Sequence, residues 1–475
     1  MTTFAQHFRL NKSQAELDFV DVPLNRDVPL FLDPFAISQR TDRWSQGAHA
    51  LLVSFFQDVV DSIRENRMDH ARHLLSFLQE PNETHLGLSQ GEPQGAGIGS
   101  FQAAQLLNAL RQSDAVRTGF LSSLEECELM IEGIGWDKIS DLTTNIIRGK
   151  LAEYTREQCV LHSIPFRAVN CGASYSTELH DWTSDYLELP VVNGAAVLLV
   201  PKAVARFKLA YDHQVYYRTF ALEFLQAQHL AAGSNLVHAL RNGKRKVYKK
   251  DLKNQFPCTK DYLFRFSKEN PEVLAQYREH LKNVESGALR NVQEDDRILA
   301  GALRAALAAI PTGNDAASEY HKLMIGVLEF VFFPQLVGPR KEQEIHQGRK
   351  RIDILMENAA TEGIFHRLHS IRGLPCAFVA FECKNYSTDI ANPELDQISG
   401  RFSPNRGKMG FVCCRRFEDK VRFIERCRDT FRDDRGLVVP VDDATVTAWL
   451  AVIESGKRRE LDVHLTRDVD EVWVS

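Results

Sequence analysis

One stretch decides the fold class: AFVAFECK, residues 377–384. An apolar run through Phe381 is followed by Glu382 and Lys384, with Cys383 between them. Side chains alternate between the two faces of a β-strand, so Glu382 and Lys384 share one face and Phe381 and Cys383 share the other. The stretch therefore predicts a strand that carries a carboxylate and an ammonium side by side.

The segments on either side of this strand predict an α/β domain. Apolar spacing favours helices and strands in the order α-β-β-β-α-β-α-β. The helices are predicted at 315–333, 393–402 and 418–431, and the strands at 343–346, 351–356, 376–384, 410–414 and 437–441. This order is typical of a central mixed sheet flanked by helices, and a polar tail is predicted to follow it.

The chain is long enough for more than this domain. Its 475 residues predict two or three domains, and its hydrophobic content of 44% and charged content of 25% are globular values. The segment IPTGN, residues 310–314, breaks the helical pattern and is the predicted boundary. We expect a C-terminal domain over 315–475 and a larger α+β, mostly helical N-terminal region over 1–310, with room for a further split near 165–200.

The charge and the cysteines of the chain limit the classes of protein to which it can belong. The formal net charge of -5 neither favours nor excludes nucleic-acid binding, since a local basic surface can bind phosphates. The nine cysteines include no CxxC pair, so neither a disulfide framework nor a zinc site is predicted. No signal-peptide pattern and no apolar run of about 20 residues is present. We expect a cytoplasmic protein that makes no contact with a membrane.

Carboxylates on two neighbouring predicted strands point to metal-dependent phosphodiester chemistry. Asp353 lies in the strand at 351–356, and Glu382 in the strand at 376–384. Mg²⁺ prefers oxygen ligands, polarises a phosphate and lowers the pKa of a bound water. Lys384 is placed to position that water and to stabilise the developing charge. A charged face on an ordinary exposed strand is the alternative explanation of the E-x-K pattern.

This pattern resembles the PD-(D/E)XK nuclease superfamily, the restriction-endonuclease-like fold, and is most similar to its Mrr-type restriction proteins. The resemblance covers roughly residues 315–445, and the matching residues are Asp353 and the E-x-K of Glu382 and Lys384. The chain departs from the motif at Ile352, where the name implies proline. The resemblance implies a restriction-endonuclease-like mixed sheet, a Mg²⁺ (or Mn²⁺) cofactor and hydrolysis of DNA.

The resemblance also implies supporting residues. Gln397, in the helix after the E-x-K strand, matches an auxiliary glutamine. Glu319 best matches a further acid that the helix before the sheet often carries as a metal ligand, and Glu329 is its rival. Arg401 lies one turn after Gln397 and is expected to reach a backbone phosphate.

A basic segment in the N-terminal region is the first candidate for contacts with nucleic acid away from this site. It spans residues 241–253, RNGKRKVYKKDLK. The residues expected to contact phosphates are Lys244, Arg245, Lys246, Lys249 and Lys250. A solvated loop between two helices explains the same segment, and the sequence leaves both interpretations open.

A second charged feature lies near the start of the chain. Strands at 17–22 and 28–32 are predicted to form a hairpin with exposed charges, in preference to a second metal site. The acids concerned are Asp18, Asp21, Asp27 and Asp33.

The predicted function is a Mg²⁺-dependent DNA endonuclease. By analogy with restriction-type proteins we expect it to act in prokaryotic defence against phage or plasmid DNA. A homo-oligomer (a dimer or higher) and an activating partner or ligand at the N-terminal region are expected with it. Two alternatives stay open: a non-catalytic nucleic-acid or protein-binding module on a nuclease-like scaffold, and a structure-specific repair or recombination nuclease.

Overall fold

Two hydrophobic cores organise the chain. The computed structural model describes residues 2–87, 99–119, 121, 123–184, 186–283, 295–341, 354–386, 390 and 392–474, with the backbone alone for 99–102 and 392. The N-terminal core is built from residues between 4 and 277, and the C-terminal core mainly from residues between 299 and 472. Among the described residues, none of the helices is long and apolar enough to cross a membrane.

The N-terminal core is mostly helical, with short paired strands at its surface. Its helices are α1 (Phe4–His7), α2 (Pro34–Ser38), α3 (Arg43–Arg64), α4 (Met68–Ser76), α5 (Gly99–Gln112), α6 (Asp114–Arg117), α7 (Cys127–Met130), α8 (Trp136–Ile146), α9 (Arg148–His162), α10 (His213–Val215), α11 (Leu222–Ala232), α12 (Lys249–Gln255), α13 (Lys260–Glu269) and α14 (Pro271–Asn283). Its strands are β1 (Phe31–Leu32), β2 (Arg167–Asn170), β3 (Ser174–Ser176), β4 (Asp181–Thr183), β5 (Tyr186–Leu189), β6 (Val191–Val192), β7 (Ala195–Ala196), β8 (Ala205–Arg206), β9 (Val237–Ala239) and β10 (Arg245–Val247). The strands pair two by two, all antiparallel.

The predicted hairpin at 17–32 is wrong. Residues 17–22 form no strand in the structure, and β1 pairs with the distant β8 instead. Asp18 and Asp33 are buried, at 2% and 3% exposure. The Asp33 carboxylate accepts a hydrogen bond from the Phe35 N–H and so caps α2. The alternation of acidic and apolar residues therefore marks buried polar contacts here, not an exposed face.

The C-terminal core is built around one mixed sheet. Its helices are α15 (Asp296–Ala309), α16 (Ala317–Phe332), α17 (Gly363–His366), α18 (Asn392–Ser399), α19 (Lys420–Arg432), α20 (Asp443–Glu454) and α21 (Leu461–Trp473). Its strands are β11 (Leu336–Arg340), β12 (Ile354–Asn358), β13 (Phe378–Lys384), β14 (Met409–Cys414) and β15 (Leu437–Asp442). They lie in chain order across the sheet, with antiparallel pairs β11–β12 and β12–β13 and parallel pairs β13–β14 and β14–β15. The predicted α/β class with a mixed sheet is confirmed.

Three parts of this core differ from the sequence-based expectation. The strand predicted at 343–346 lies outside the described residues, and the first strand of the sheet is β11, which was not predicted. The predicted polar tail is wrong, because α20 and α21 bury apolar faces against the sheet. Helix α15, which the sequence assigns to the N-terminal region, packs Leu299, Leu303 and Leu307 into the C-terminal core.

Buried polar contacts join the two cores. The Lys202 ammonium lies 3.0 Å from an oxygen of Glu329 on α16, and both side chains are almost fully buried. Next to them, the Tyr154 hydroxyl donates to Asp18 Oδ2 at 2.7 Å and the Gly338 N–H donates to Asp18 Oδ1 at 3.2 Å. We call Asp18, Tyr154, Lys202 and Glu329 the interdomain cluster. It ties the segment between α1 and β1, the segment between β7 and β8, and helix α9 to α16 and β11 of the C-terminal core.

Candidate active site at the end of strand β13

Strand β13 places its apolar and charged side chains on opposite faces. Phe381 stacks on Phe411 of β14, with ring centroids 5.1 Å apart, and packs against Phe332 of α16. This aromatic contact fixes which face of the sheet is the α16 side. Glu382 and Lys384 therefore point to the other face, where α18 crosses, as strand alternation predicts.

Three side chains converge on the Glu382 carboxylate. Lys384 Nζ lies 2.6 Å from Oε1, and Gln397 Nε2 on α18 donates to the same oxygen at 2.8 Å. Arg401 Nη1 donates to Oε2 at 2.6 Å. Glu382 is fully buried. We call these four residues the Glu382 cluster, and all four were predicted as site residues from the sequence.

Among the four described side chains of this cluster, cations outnumber carboxylates. One carboxylate faces the ammonium of Lys384 and the guanidinium of Arg401, so the four side chains together carry one excess positive charge. Arg401 Nε and Nη2 are buried and find no hydrogen-bond acceptor among the described residues. Buried cationic donors without acceptors are costly, and an anion would satisfy them. Lys384 is 16% exposed, so the cluster opens to solvent on its side.

Close packing behind the cluster fixes the position of Arg401. Arg435 Nη2 donates to Asp396 Oδ1 at 2.8 Å and to Ser399 Oγ at 2.9 Å, which clamps α18 to the start of β15. The turn after α18 then lays the Phe402 ring against Gly436, whose φ is +117°. A Cβ at Gly436 would overlap that ring and lie 2.8 Å from the Lys408 carbonyl oxygen. Only glycine allows this approach.

We expect Gly436→Ala to destabilise the C-terminal core and to loosen the Glu382 cluster. The matched control is Gly133→Ala, since Gly133 has a φ of +78° but nothing within 4 Å of its added Cβ. Gly436→Ala should lose about 1–3 kcal/mol more stability than the control, because its Cβ is overpacked and a φ of +117° strains alanine more than a φ of +78° does. Urea unfolding followed by circular dichroism measures the difference, and equal losses would contradict the packing described here.

Of the remaining acids predicted for the site, Glu319 and Glu329 lie elsewhere in the structure and Asp353 is not among the described residues. Glu319 is exposed on the first turn of α16, and no hydrogen bond or ion pair joins it to the described part of the cluster. Its rival Glu329 is buried in the interdomain cluster. Asp353 lies outside the described residues, one position before Ile354, which pairs with Phe381.

The structure gives Arg401 a different setting from the one expected. The sequence puts it one turn after Gln397 on the same helical face, within reach of a backbone phosphate. It instead lies two residues past the end of α18, with its side chain only 2% exposed and bonded to Glu382. Its position is therefore internal to the site.

One further residue belongs to the site and was not predicted. Asn385 follows Lys384 directly, and its Nδ2 donates to the carbonyl oxygens of Pro311 and Gly313 at 3.0 and 2.7 Å. The Gly313 N–H donates back to the Asn385 carbonyl oxygen at 2.8 Å. These bonds tie the end of β13 to the segment that enters α16. An asparagine directly after the E-x-K pattern is the sequence signal that could have identified it.

The described residues alone do not form a metal site. Within the part of the chain that the structure describes, no group of three or more His, Cys, Asp or Glu side chains could hold a metal ion. Glu382 supplies one carboxylate, and both of its oxygens already accept hydrogen bonds. A Mg²⁺ site needs further oxygen ligands. The sequence offers Asp353 for that purpose.

The basic segment lies in the N-terminal core. Lys244, Arg245 and Lys246 lead into and occupy β10, while Lys249 and Lys250 form the first turn of α12. The predicted alternative of a loop between two helices is wrong, since β9 and β10 form an antiparallel hairpin.

Comparison with known proteins finds a match for only part of the chain. A family model described as a domain of unknown function (DUF8370) matches residues 9–212. That match lies before the C-terminal core and does not include the Glu382 cluster. None of the curated proteins and none of the solved structures matches the chain.

Proposed function

We propose that the chain is a metal-dependent phosphodiesterase that cuts DNA at the Glu382 cluster. The observation that carries this proposal is the convergence of Lys384, Gln397 and Arg401 on one buried carboxylate at the end of a central strand. Burying one carboxylate with two cations is costly, because each charged group loses its hydration. Perturbed electrostatics of this kind are typical of functional sites.

The order of the sheet supports a restriction-endonuclease-like fold. Helix α16 precedes β11, β12 and β13, and α18 connects β13 to the parallel β14. This is the order α-β-β-β-α-β, with the E-x-K pair on the third strand and the auxiliary glutamine on the helix that follows. The residues that the resemblance names on β13 and α18, Glu382, Lys384 and Gln397, meet at the Glu382 cluster, which supports the proposal.

The excess positive charge suits a phosphodiester, which carries one negative charge. Lys384 lies on the open side of the cluster and would orient the attacking water and stabilise the charge that develops on the phosphate. Arg401 would hold Glu382 and present its remaining N–H groups to the anion. Gln397 would fix the rotation of the Glu382 carboxylate.

Mg²⁺ or Mn²⁺, held by Glu382 with Asp353, would polarise the phosphate and lower the pKa of a bound water. Glu319 is the proposed further ligand, because it lies at the head of the helix that Asn385 ties to the end of β13. The proposed setting is cytoplasmic defence against phage or plasmid DNA, in a homo-oligomer whose paired sites cut both strands. The N-terminal region would bind the partner or ligand that activates cutting.

One observation favours a second candidate, a non-catalytic nucleic-acid-binding module. Both oxygens of Glu382 are already bonded, and the described residues offer no second carboxylate beside it. Such a module would bind an anion through Lys384 and Arg401 without cutting it.

Incubation of the purified protein with supercoiled plasmid separates these candidates. We expect nicked and linear products in Mg²⁺ or Mn²⁺ and none in EDTA. Linear duplex, a four-way junction and RNA are compared in the same assay. Failure to cut every substrate in both metals would favour the binding module, and preference for the junction would favour a repair or recombination nuclease.

A further inference from the structure

A basic hairpin projects from the N-terminal core. Strands β9 and β10 pair antiparallel, with Lys246 opposite His238. At its tip the Gly243 N–H donates to the Leu240 carbonyl oxygen at 2.9 Å, and Gly243 has a φ of +77°. This turn geometry places Arg241 and Asn242 at the exposed tip. We call residues 237–253, the hairpin with the helix that follows it, the basic arm.

The charge of the basic arm is almost unopposed. Residues 241–253 contain seven basic side chains and one acid, in a chain whose formal net charge is -5. That acid, Asp251, is bonded to His238 at 2.8 Å, and Lys249 pairs with Glu223 at 3.0 Å. The other six cations form no ion pair with any described residue, and all six are exposed. They are Arg241, Lys244, Arg245, Lys246, Lys250 and Lys253.

The basic arm is nevertheless fixed at its base. Val247 and Leu252 are buried in the N-terminal core, at 2% and 0% exposure. Gln226 Nε2 of α11 donates to the Val247 carbonyl oxygen at 2.6 Å. The exposed cations are therefore presented by an ordered hairpin and the helix that follows it, which reduces the entropy lost when a partner binds.

We propose that the basic arm binds duplex DNA, with the hairpin in the major groove and its cations on the flanking phosphates. The major groove of B-DNA is about 12 Å wide and admits a two-stranded β-ribbon. Lys246 lies 5.2 Å from the centre of the Tyr248 ring, and His238 contacts that ring from the side. Tyr248 is 40% exposed and offers a further contact surface beside the cations.

The composition of the tip favours DNA over an anionic membrane. A hairpin that inserts into a bilayer needs apolar side chains at its tip, whereas Arg241, Asn242 and Gly243 occupy this one. Duplex RNA is also disfavoured, because its major groove is too narrow for side chains to read. The surface lies outside the residues of the Glu382 cluster, so this inference holds whether or not the chain cuts DNA.

The test is the salt dependence of DNA binding in EDTA, where no cutting occurs. Fluorescence anisotropy with a short labelled duplex compares the wild type with the triple variant Lys244→Ser, Arg245→Ser, Lys246→Ser. If all three contact phosphates, the slope of log K against log salt should fall by about 2.7, and the Kd should rise at least tenfold. The matched control replaces three exposed cations that form no ion pair with described residues: Lys268→Ser, Arg422→Ser, Arg459→Ser.

The outcomes separate local contact from overall charge. The proposal is supported if the arm variant binds DNA more weakly and with less salt dependence, while the control variant binds like the wild type. Equal weakening of both triple variants would overturn it, since the effect would then be one of net charge. Tighter binding of duplex RNA, or binding to phosphatidylserine vesicles without binding to DNA, would overturn the groove geometry.

Discussion

Lys384→Ala should lower the rate of DNA cleavage by about 100-fold to 1000-fold at saturating DNA, the usual effect of removing one group that stabilises transition-state charge. Lys384 is the partly exposed cation of the Glu382 cluster, and its ammonium lies 2.6 Å from Glu382. Its charge acts on the phosphate as negative charge develops. The loss should therefore fall on kcat, while the Kd for DNA in EDTA changes little.

The control for this variant is Lys457→Ala, on an exposed turn of the same core whose pairing with Glu460 is a surface contact. Single-turnover nicking of plasmid measures both variants. Thermal unfolding shows whether each remains folded, because Lys384 also neutralises a buried carboxylate. Cleavage by folded Lys384→Ala at the wild-type rate would remove Lys384 from the proposed site.

Above pH 8, where Glu329 is charged, Lys202→Met should destabilise the protein by about 3–5 kcal/mol, the usual cost of leaving one partner of a buried ion pair uncompensated. Lys202 and Glu329 are exposed by only 2% and 1%, and Asp18 is buried beside them. The Lys202 ammonium also lies 4.2 Å from the centre of the Phe333 ring. The double variant Lys202→Met, Glu329→Met replaces the pair by apolar side chains and should lose less stability than the single variant.

The effect of Lys202→Met should depend on pH. Burial raises the pKa of Glu329 from 4.5 to about 8, against the lowering effect of Lys202. A carboxyl whose pKa is raised by folding binds more protons in the folded state, so its contribution to stability falls as pH rises from about 4.5 to 8. Without Lys202 the charged form is still less favourable. The gap in stability between wild type and variant should therefore be wider at alkaline than at acidic pH.

Urea unfolding at several pH values measures that gap. The double variant is the control, because it carries no titrating group at position 329. Two results would contradict the assignment of a buried pair at Lys202 and Glu329. One is a stability difference that does not change with pH, and the other is a double variant that loses more stability than the single variant.

Local pattern was enough to predict the centre of the site. Strand alternation put Glu382 and Lys384 on one face, and the structure brings Gln397 and Arg401 to the same carboxylate. The mixed sheet also followed from apolar runs of β-branched and aromatic residues. These features depend on short-range periodicity, which a single sequence displays directly.

The features that the sequence did not predict depend on contacts between distant segments. Strand β11, LVGPR, contains Gly338 and Pro339, both uncommon in strands, and is held by pairing with β12. Asp18 lies in an alternating acidic pattern that favours an exposed strand, yet Tyr154 and Gly338 satisfy its carboxylate in the interior. Arg401 is buried because Phe402 packs on Gly436. Contacts between residues that are distant in the sequence leave no signal in the local sequence pattern.

The central claim is that phosphodiester cleavage takes place at Glu382, and the most direct test is the rate of plasmid nicking by Glu382→Gln in Mg²⁺. The substitution keeps the size of the side chain and removes the charge on which Lys384, Gln397 and Arg401 converge. The control is Glu425→Gln, at an exposed position on α19. We expect the wild type and the control to nick plasmid at the same rate, and Glu382→Gln to be slower by about 100-fold or more. Nicking by Glu382→Gln at the wild-type rate would contradict the claim.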